Sequence, residues 1–121
     1  MNKRKIVYIV SDSVGETAEL MVKAVLTQFS GEDIEIQNTS YVEDEGNIDN
    51  IIAEARYNEA IIAYTIVIPP LKQYLDQKAQ EEGIVAIDLM TPLMSAFSQT
   101  FNKEPNLQPR LTRKLDDNYF R

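Results

Sequence analysis

The run Ile6-Val7-Tyr8-Ile9-Val10, cut off by Ser11-Asp12-Ser13 and followed by Val14-Gly15-Glu16-Thr17-Ala18, constrains this chain more than any other stretch. An unbroken apolar run rich in β-branched residues is the pattern of a strand buried on both faces. Leu20, Met21, Ala24, Val25 and Phe29 then recur at roughly helical spacing. A strand that turns through small polar residues into a helix leaves free backbone N–H groups at its carboxyl end. That is where α/β proteins hold phosphates and nucleotides.

The same unit repeats along the chain. Residues 34–42 begin with alternation and predict a second strand, followed by the acidic loop Glu43-Asp44-Glu45-Gly46-Asn47. Ile48, Ile51, Ile52 and Ala55 form the stripe of a second helix, with Asp49 placed to cap it. Residues 60–65 predict a third, central strand. Pro69-Pro70 opens a helix carrying Leu71, Tyr74, Leu75 and Ala79 and closing at Gly83. Residues 84–87 predict a fourth strand. Thr91-Pro92 then reads as N-cap and first residue of a helix bearing Leu93, Met94, Ala96, Phe97 and Phe101. Short β-α connections of this kind predict a doubly wound, open parallel sheet of about four strands with helices on both faces, Rossmann-like or flavodoxin-like. The residues do not give the strand order; 2-1-3-4 is expected by analogy alone. Residues 1–101 form this domain. Residues 102–121, interrupted by Pro105 and Pro109, read either as a tail packed back on the domain or as a linker or docking arm. Leu111, Leu115 and Tyr119 are spaced as one helical stripe.

Composition removes several chemistries. With no histidine and no cysteine, Ser-His-Asp, Cys-His and ordinary zinc sites are excluded, leaving a hard ion such as Mg²⁺ held by carboxylates or phosphates. A net charge of −7 argues against nucleic acid and anionic membranes as partners. No run approaches the roughly 18 apolar residues of a membrane span, and the short run after Lys3-Arg4-Lys5 is a poor secretory signal, so a cytoplasmic protein is expected. Glycine occurs only at 15, 31, 46 and 83, so neither a Walker A loop nor a dinucleotide fingerprint can be placed.

In an open parallel sheet the ligand lies beyond the carboxyl ends of the strands, where residues 11–17, 41–45, 65–70 and 88–91 would converge. Ser11, Ser13 and Thr17 offer hydroxyls, the backbone N–H groups around Val14, Gly15 and Glu16 would be free at a helix start to hold an anion, and Gly15 allows close approach of a ligand to the backbone. Asp12 would repel a phosphate and makes better sense as a general base, or as a carboxylate facing Mg²⁺ or a sugar hydroxyl. A competing reading takes Ser13 and Glu16 as a capping box with no ligand. Thr65 either donates to a ligand or ends its strand. Asp88 either faces the cleft or caps the next turn, and Glu43-Asp44-Glu45 reads as a solvated loop.

The segment Val10-Ser11-Asp12-Ser13-Val14-Gly15-Glu16-Thr17-Ala18-Glu19 resembles the opening of the pyruvate, phosphate dikinase regulatory protein family, also described as bifunctional serine/threonine kinase–phosphorylases. The resemblance continues through Tyr41-Val42-Glu43-Asp44, Tyr64-Thr65-Ile66-Val67 and Asp88-Leu89-Met90-Thr91-Pro92-Leu93, and closes at Leu115-Asp116-Asp117-Asn118-Tyr119-Phe120-Arg121. Members of that family run to roughly twice the length of a single domain of this size. Their phosphate loop, of the GxSRxxKTP kind, lies in the second half. The resemblance therefore implies an N-terminal portion, inactive alone, of an enzyme that phosphorylates a threonine of the dikinase with ADP and removes the phosphate with inorganic phosphate. It implies ADP or ATP and phosphate as substrates, Mg²⁺ as a companion, and the dikinase as partner, with a homodimer as a further expectation. The rival expectations are a partner-binding or dimerisation module without catalytic residues, and a stand-alone small-ligand domain.

Overall fold

A computed structural model of the chain describes residues 5–109. Strands and helices alternate throughout: β1 Lys5–Ser11, α1 Glu16–Leu26, β2 Ile34–Thr39, α2 Glu45–Asn58, β3 Ile61–Thr65, α3 Pro69–Glu82, β4 Ala86–Asp88 and α4 Thr91–Phe101. The four strands form one sheet in the order β2-β1-β3-β4, and every pairing is parallel. The expected fold class and strand order are both found. The register places Ser11 beside Thr65 at the carboxyl edge.

The two faces of the sheet are covered unequally. On one face Tyr8, Val10, Ile62 and Tyr64 pack against Ile48, Ile51, Ile52 and Ala55 of α2 and Leu71, Leu75 and Ala79 of α3. Each fully buried aliphatic side chain there contributes about 1.5–3 kcal/mol. The two tyrosines bring hydroxyls into this core, and both are satisfied. Tyr8 Oη accepts from Asn58 Nδ2 at 2.8 Å, and Tyr64 donates to Asp76 of α3.

On the other face α1 covers Val7, Ile9 and Ala63, which are buried. It does so through Ala18, which is buried, and Val22 and Leu26, which are half-buried. The stripe expected to face inward points outward instead: Leu20, Met21, Val25 and Phe29 are 68, 43, 53 and 58% exposed. The helix is apolar on two sides, and the sheet takes the side where small Ala18 allows close approach. Helix α4 has no buried residue at all.

Helix starts also differ from the expected ones. Helix α1 is entered through Gly15 in a left-handed conformation (φ 85°) without a side-chain cap, so Ser13 and Glu16 make no capping box. Ser13 lies too far upstream of the first turn, and its backbone is engaged elsewhere. Its N–H donates to Ser11 Oγ at 3.0 Å, and its carbonyl accepts from Tyr41 N–H at 2.8 Å. A side-chain cap occurs at α2 instead, where Asp44 accepts from Asn47 N–H at 2.9 Å and Asn47 Oδ1 reaches back to accept from the N–H of the preceding Glu43 at 3.0 Å. Asp49 is therefore not the cap but lies inside the helix, accepting from Tyr74 Oη at 2.7 Å. Thr91 is the first residue of α4 rather than its cap. Asp88 serves that end by accepting from the N–H groups of Met90 and Thr91 at 3.0 and 2.9 Å. Strand β2 stops at Thr39 because Tyr41 turns the chain with φ 55°. Strand β4 starts late because Ile84 N–H still closes α3 onto Ala79 C=O at 2.8 Å, past Gly83.

Candidate functional site

A cavity of about 680 Å³ lies beyond the carboxyl ends of β1 and β3. Its polar wall consists of Asp12, Ser13, Gly15, Glu16 and Thr17, with Thr65 across from them. Its apolar wall includes Met21 of α1, Tyr41, Val67, and Leu89, Met90, Leu93, Met94 and Phe97 around the start of α4. Residues 105–109 complete it. That part of the C-terminal stretch lies against the domain, while the expected stripe of Leu111, Leu115 and Tyr119 falls outside the described residues.

Ser11 is fully buried and stands behind the wall rather than on it. Its Oγ accepts from Ser13 N–H at 3.0 Å, from Thr65 Oγ1 at 3.2 Å, and lies 3.2 Å from Ser13 Oγ. The three hydroxyls form a chain from Thr65 through the buried Ser11 to Ser13, with both ends on the cavity wall. Asp12 is only 3% exposed. Its Oδ2 accepts from the N–H groups of Val67 and Ile68 at 2.8 and 3.2 Å, so the carboxylate pins the β3–α3 loop to the end of β1. Gly15 brings the backbone close to Asn38: a Cβ at this position would lie 2.8 Å from Asn38 Oδ1. The first turn of α1, unclaimed by any side chain, opens onto the same wall.

Charge on this wall is one-sided. Asp12 and Glu16 are its charged residues, and no lysine or arginine stands among its described residues. Lys72 is nearby in sequence to the loop but is held by Thr91 Oγ1 at 3.0 Å and by Asp88 at 3.9 Å. Among the described residues no group of three or more His, Cys, Asp or Glu side chains comes together to hold a metal.

Sequence reasoning located the loop and missed much of the wall. Tyr41 and Val67 lie within the segments expected to converge, but neither was singled out. Leu93, Met94 and Phe97 were read only as apolar residues of the last helix. The signal available for α4 was that none of its 11 residues is charged, although it is not a core helix. Glu43, Asp44 and Glu45 are off the wall, as is Asp88.

An all-parallel sheet with a hydroxyl-rich loop and an open helix start at its carboxyl edge defines a small open-sheet α/β domain. Sequence comparison makes this specific: the kinase/pyrophosphorylase family profile matches residues 7–121, and the chain belongs to that family. It is 44% identical over 119 residues to a protein of Halalkalibacterium halodurans, covering 98% of this chain and 44% of the relative. It is 44% identical over 121 residues to one of Oceanobacillus iheyensis, covering 100% of this chain and 45% of the relative. A Desulfitobacterium hafniense protein is 41% identical over 116 residues, covering 96% of this chain and 42% of the relative. All three carry the provisional name pyruvate, phosphate dikinase regulatory protein. The chain thus spans less than half the length of these relatives and corresponds to their N-terminal portion. No helix among the described residues is long and apolar enough to cross a membrane.

Proposed function

We propose that this chain is one half of the active site of a bifunctional enzyme that phosphorylates a threonine of pyruvate, phosphate dikinase with ADP and reverses the step with inorganic phosphate. The observation that carries this reading is the composition of the cavity: a carboxylate and hydroxyls beside an open helix start, with no basic side chain on its described wall. Phosphoryl transfer depends on positioning and on neutralising the charge of the transferred group. The described wall supplies none of that positive charge, so in this reading it comes from outside the described residues.

In the forward direction the threonine oxygen attacks the terminal phosphorus of ADP, the bond to the bridging oxygen breaks, and AMP leaves. Asp12 takes the hydroxyl proton. Ser13, Thr17 and Thr65 and the first-turn N–H groups of α1 orient the phosphate oxygens, with Ser11 fixing the hydroxyls from behind. In reverse, a phosphate oxygen attacks the phosphothreonine phosphorus to form pyrophosphate, the bond from phosphorus to the threonine oxygen breaks, and that oxygen leaves with the proton held by Asp12. Magnesium, where the reaction uses it, arrives on the nucleotide.

The test is a chimera joining these 121 residues to the remaining half of the Halalkalibacterium halodurans relative. It is expected to transfer phosphate to the dikinase from ADP and to release pyrophosphate with phosphate. In this chimera Asp12→Asn is expected to lower both rates at least 100-fold, as removal of a general base does, with little change in melting temperature. Unchanged rates with weakened dikinase binding would favour the second reading, a recognition module. The 121 residues alone are expected to give no turnover.

A further inference from the structure

Exposed apolar side chains gather on α1, on α4, which shares a cavity with it, and on the side of the sheet that α1 covers. From α1 come Leu20 and Val25, and from α4 Phe101, which stacks on Phe97 with ring centroids 5.5 Å apart. Ile61 pairs in register with Val7 and Ile87 with Ala63. Paired residues point to the same side of a sheet, so both belong to the side that α1 covers. Yet Ile61 and Ile87 are 44 and 47% exposed. The cavity ties the two helices together, since Met21 and Phe97 both line it. A helix that is apolar on two sides and a helix without a charge are what a buried layer requires. A monomer rarely leaves so much contiguous apolar surface in water.

We infer that this side is a docking surface for the carboxyl-terminal half found in the relatives, which packs over α1, α4 and the bare part of β3 and β4. Two observations select that occupant. The chain covers 44% of the Halalkalibacterium halodurans relative, so more than half of that protein remains to be placed against this portion. A second copy is the poorer occupant, because it would bring a second chain of net charge −7 against the first. The docked half also closes the cavity whose rim this surface forms. The inference adds an interface to the proposed function, and its test reads binding alone, so it stands or falls apart from the catalytic reading.

The 121-residue chain is to be mixed with the separately expressed carboxyl-terminal half of the Halalkalibacterium halodurans relative, and followed by light scattering and amide exchange. The expected result is a one-to-one complex in which amides of residues 16–26 and 91–101 become protected. Leu20→Glu and Phe101→Glu, both at exposed positions away from the cavity wall, each weaken the complex at least tenfold. Gln73→Glu, on the opposite layer, leaves it unchanged. Absence of a complex, protection confined to α2 and α3, or a homodimer through α1 and α4 that the added half does not displace would each overturn the inference.

Discussion

Gly15 holds a left-handed backbone (φ 85°), and a Cβ on it would meet Asn38 at 2.8 Å. Gly15→Ala is expected to destabilise the fold by about 1–2 kcal/mol from the backbone conformation alone, measured by urea denaturation. Asp12 is the second constrained residue, because two backbone N–H groups depend on one of its oxygens. Asp12→Ala leaves those donors without an acceptor and is expected to cost about 1–3 kcal/mol, with faster amide exchange at Val67 and Ile68. Asp12→Asn keeps an acceptor oxygen and is expected to retain most of that stability. At this scale the sequence was legible in part. That Ser11, Asp12 and Gly15 mattered could be read from small polar residues between a strand and a helix. That Ser11 sits behind the wall could not, because its burial depends on Thr65, which pairs with it from a strand 54 residues away. Ser13 and Glu16 matched a capping spacing, but where a helix starts is decided by the backbone of Gly15.

Among the elements, the strands were the most legible. A parallel strand covered on both faces is apolar over its covered length, as are Ile6 to Val10 of β1 and Ile61 to Tyr64 of β3. Helix sides were less so, because α1 offers two apolar stripes and periodicity cannot say which one the sheet takes. Helix α2 is held at its start by Asp44. Asp44→Ala is expected to cost about 1 kcal/mol, seen as a lower melting temperature. Helix α3 is tied to β3 by the bond from Tyr64 to Asp76. Burial, followed by that bond and the negative charge of Asp76, pushes the Tyr64 phenol well above its ordinary value of 10.0. On the same helix Tyr74 is pushed up to about 12, first by its bond to Asp49. In both cases the folded chain holds the proton more tightly than the unfolded chain. Their contribution is therefore complete below about pH 10 and is lost as the pH rises above it. The melting temperature is expected to fall on going from pH 9 to pH 11 (roughly one unit either side of the free phenol value), and Tyr64→Phe is expected to flatten that fall.

For the molecule as a whole, the alternation of strands and helices implied a doubly wound parallel sheet, whereas strand order was not readable from the residues and came only by analogy; the sheet has that order. The site was only half legible, since its apolar wall comes from side chains that look like core residues in the sequence. Helix α4 shows the difficulty best: Leu93, Phe97 and Phe101 have core spacing but are 61, 52 and 65% exposed. The bare side of β3 and β4 also bears on how the chain behaves as a solute. Its apolar surface favours self-association and dye binding, while the charge of −7 opposes close approach of like molecules. Salt screens that repulsion over about 8–10 Å at moderate ionic strength. Dispersal of the isolated chain is therefore expected to worsen as salt is raised, with light scattering and fluorescence of a hydrophobic dye increasing together.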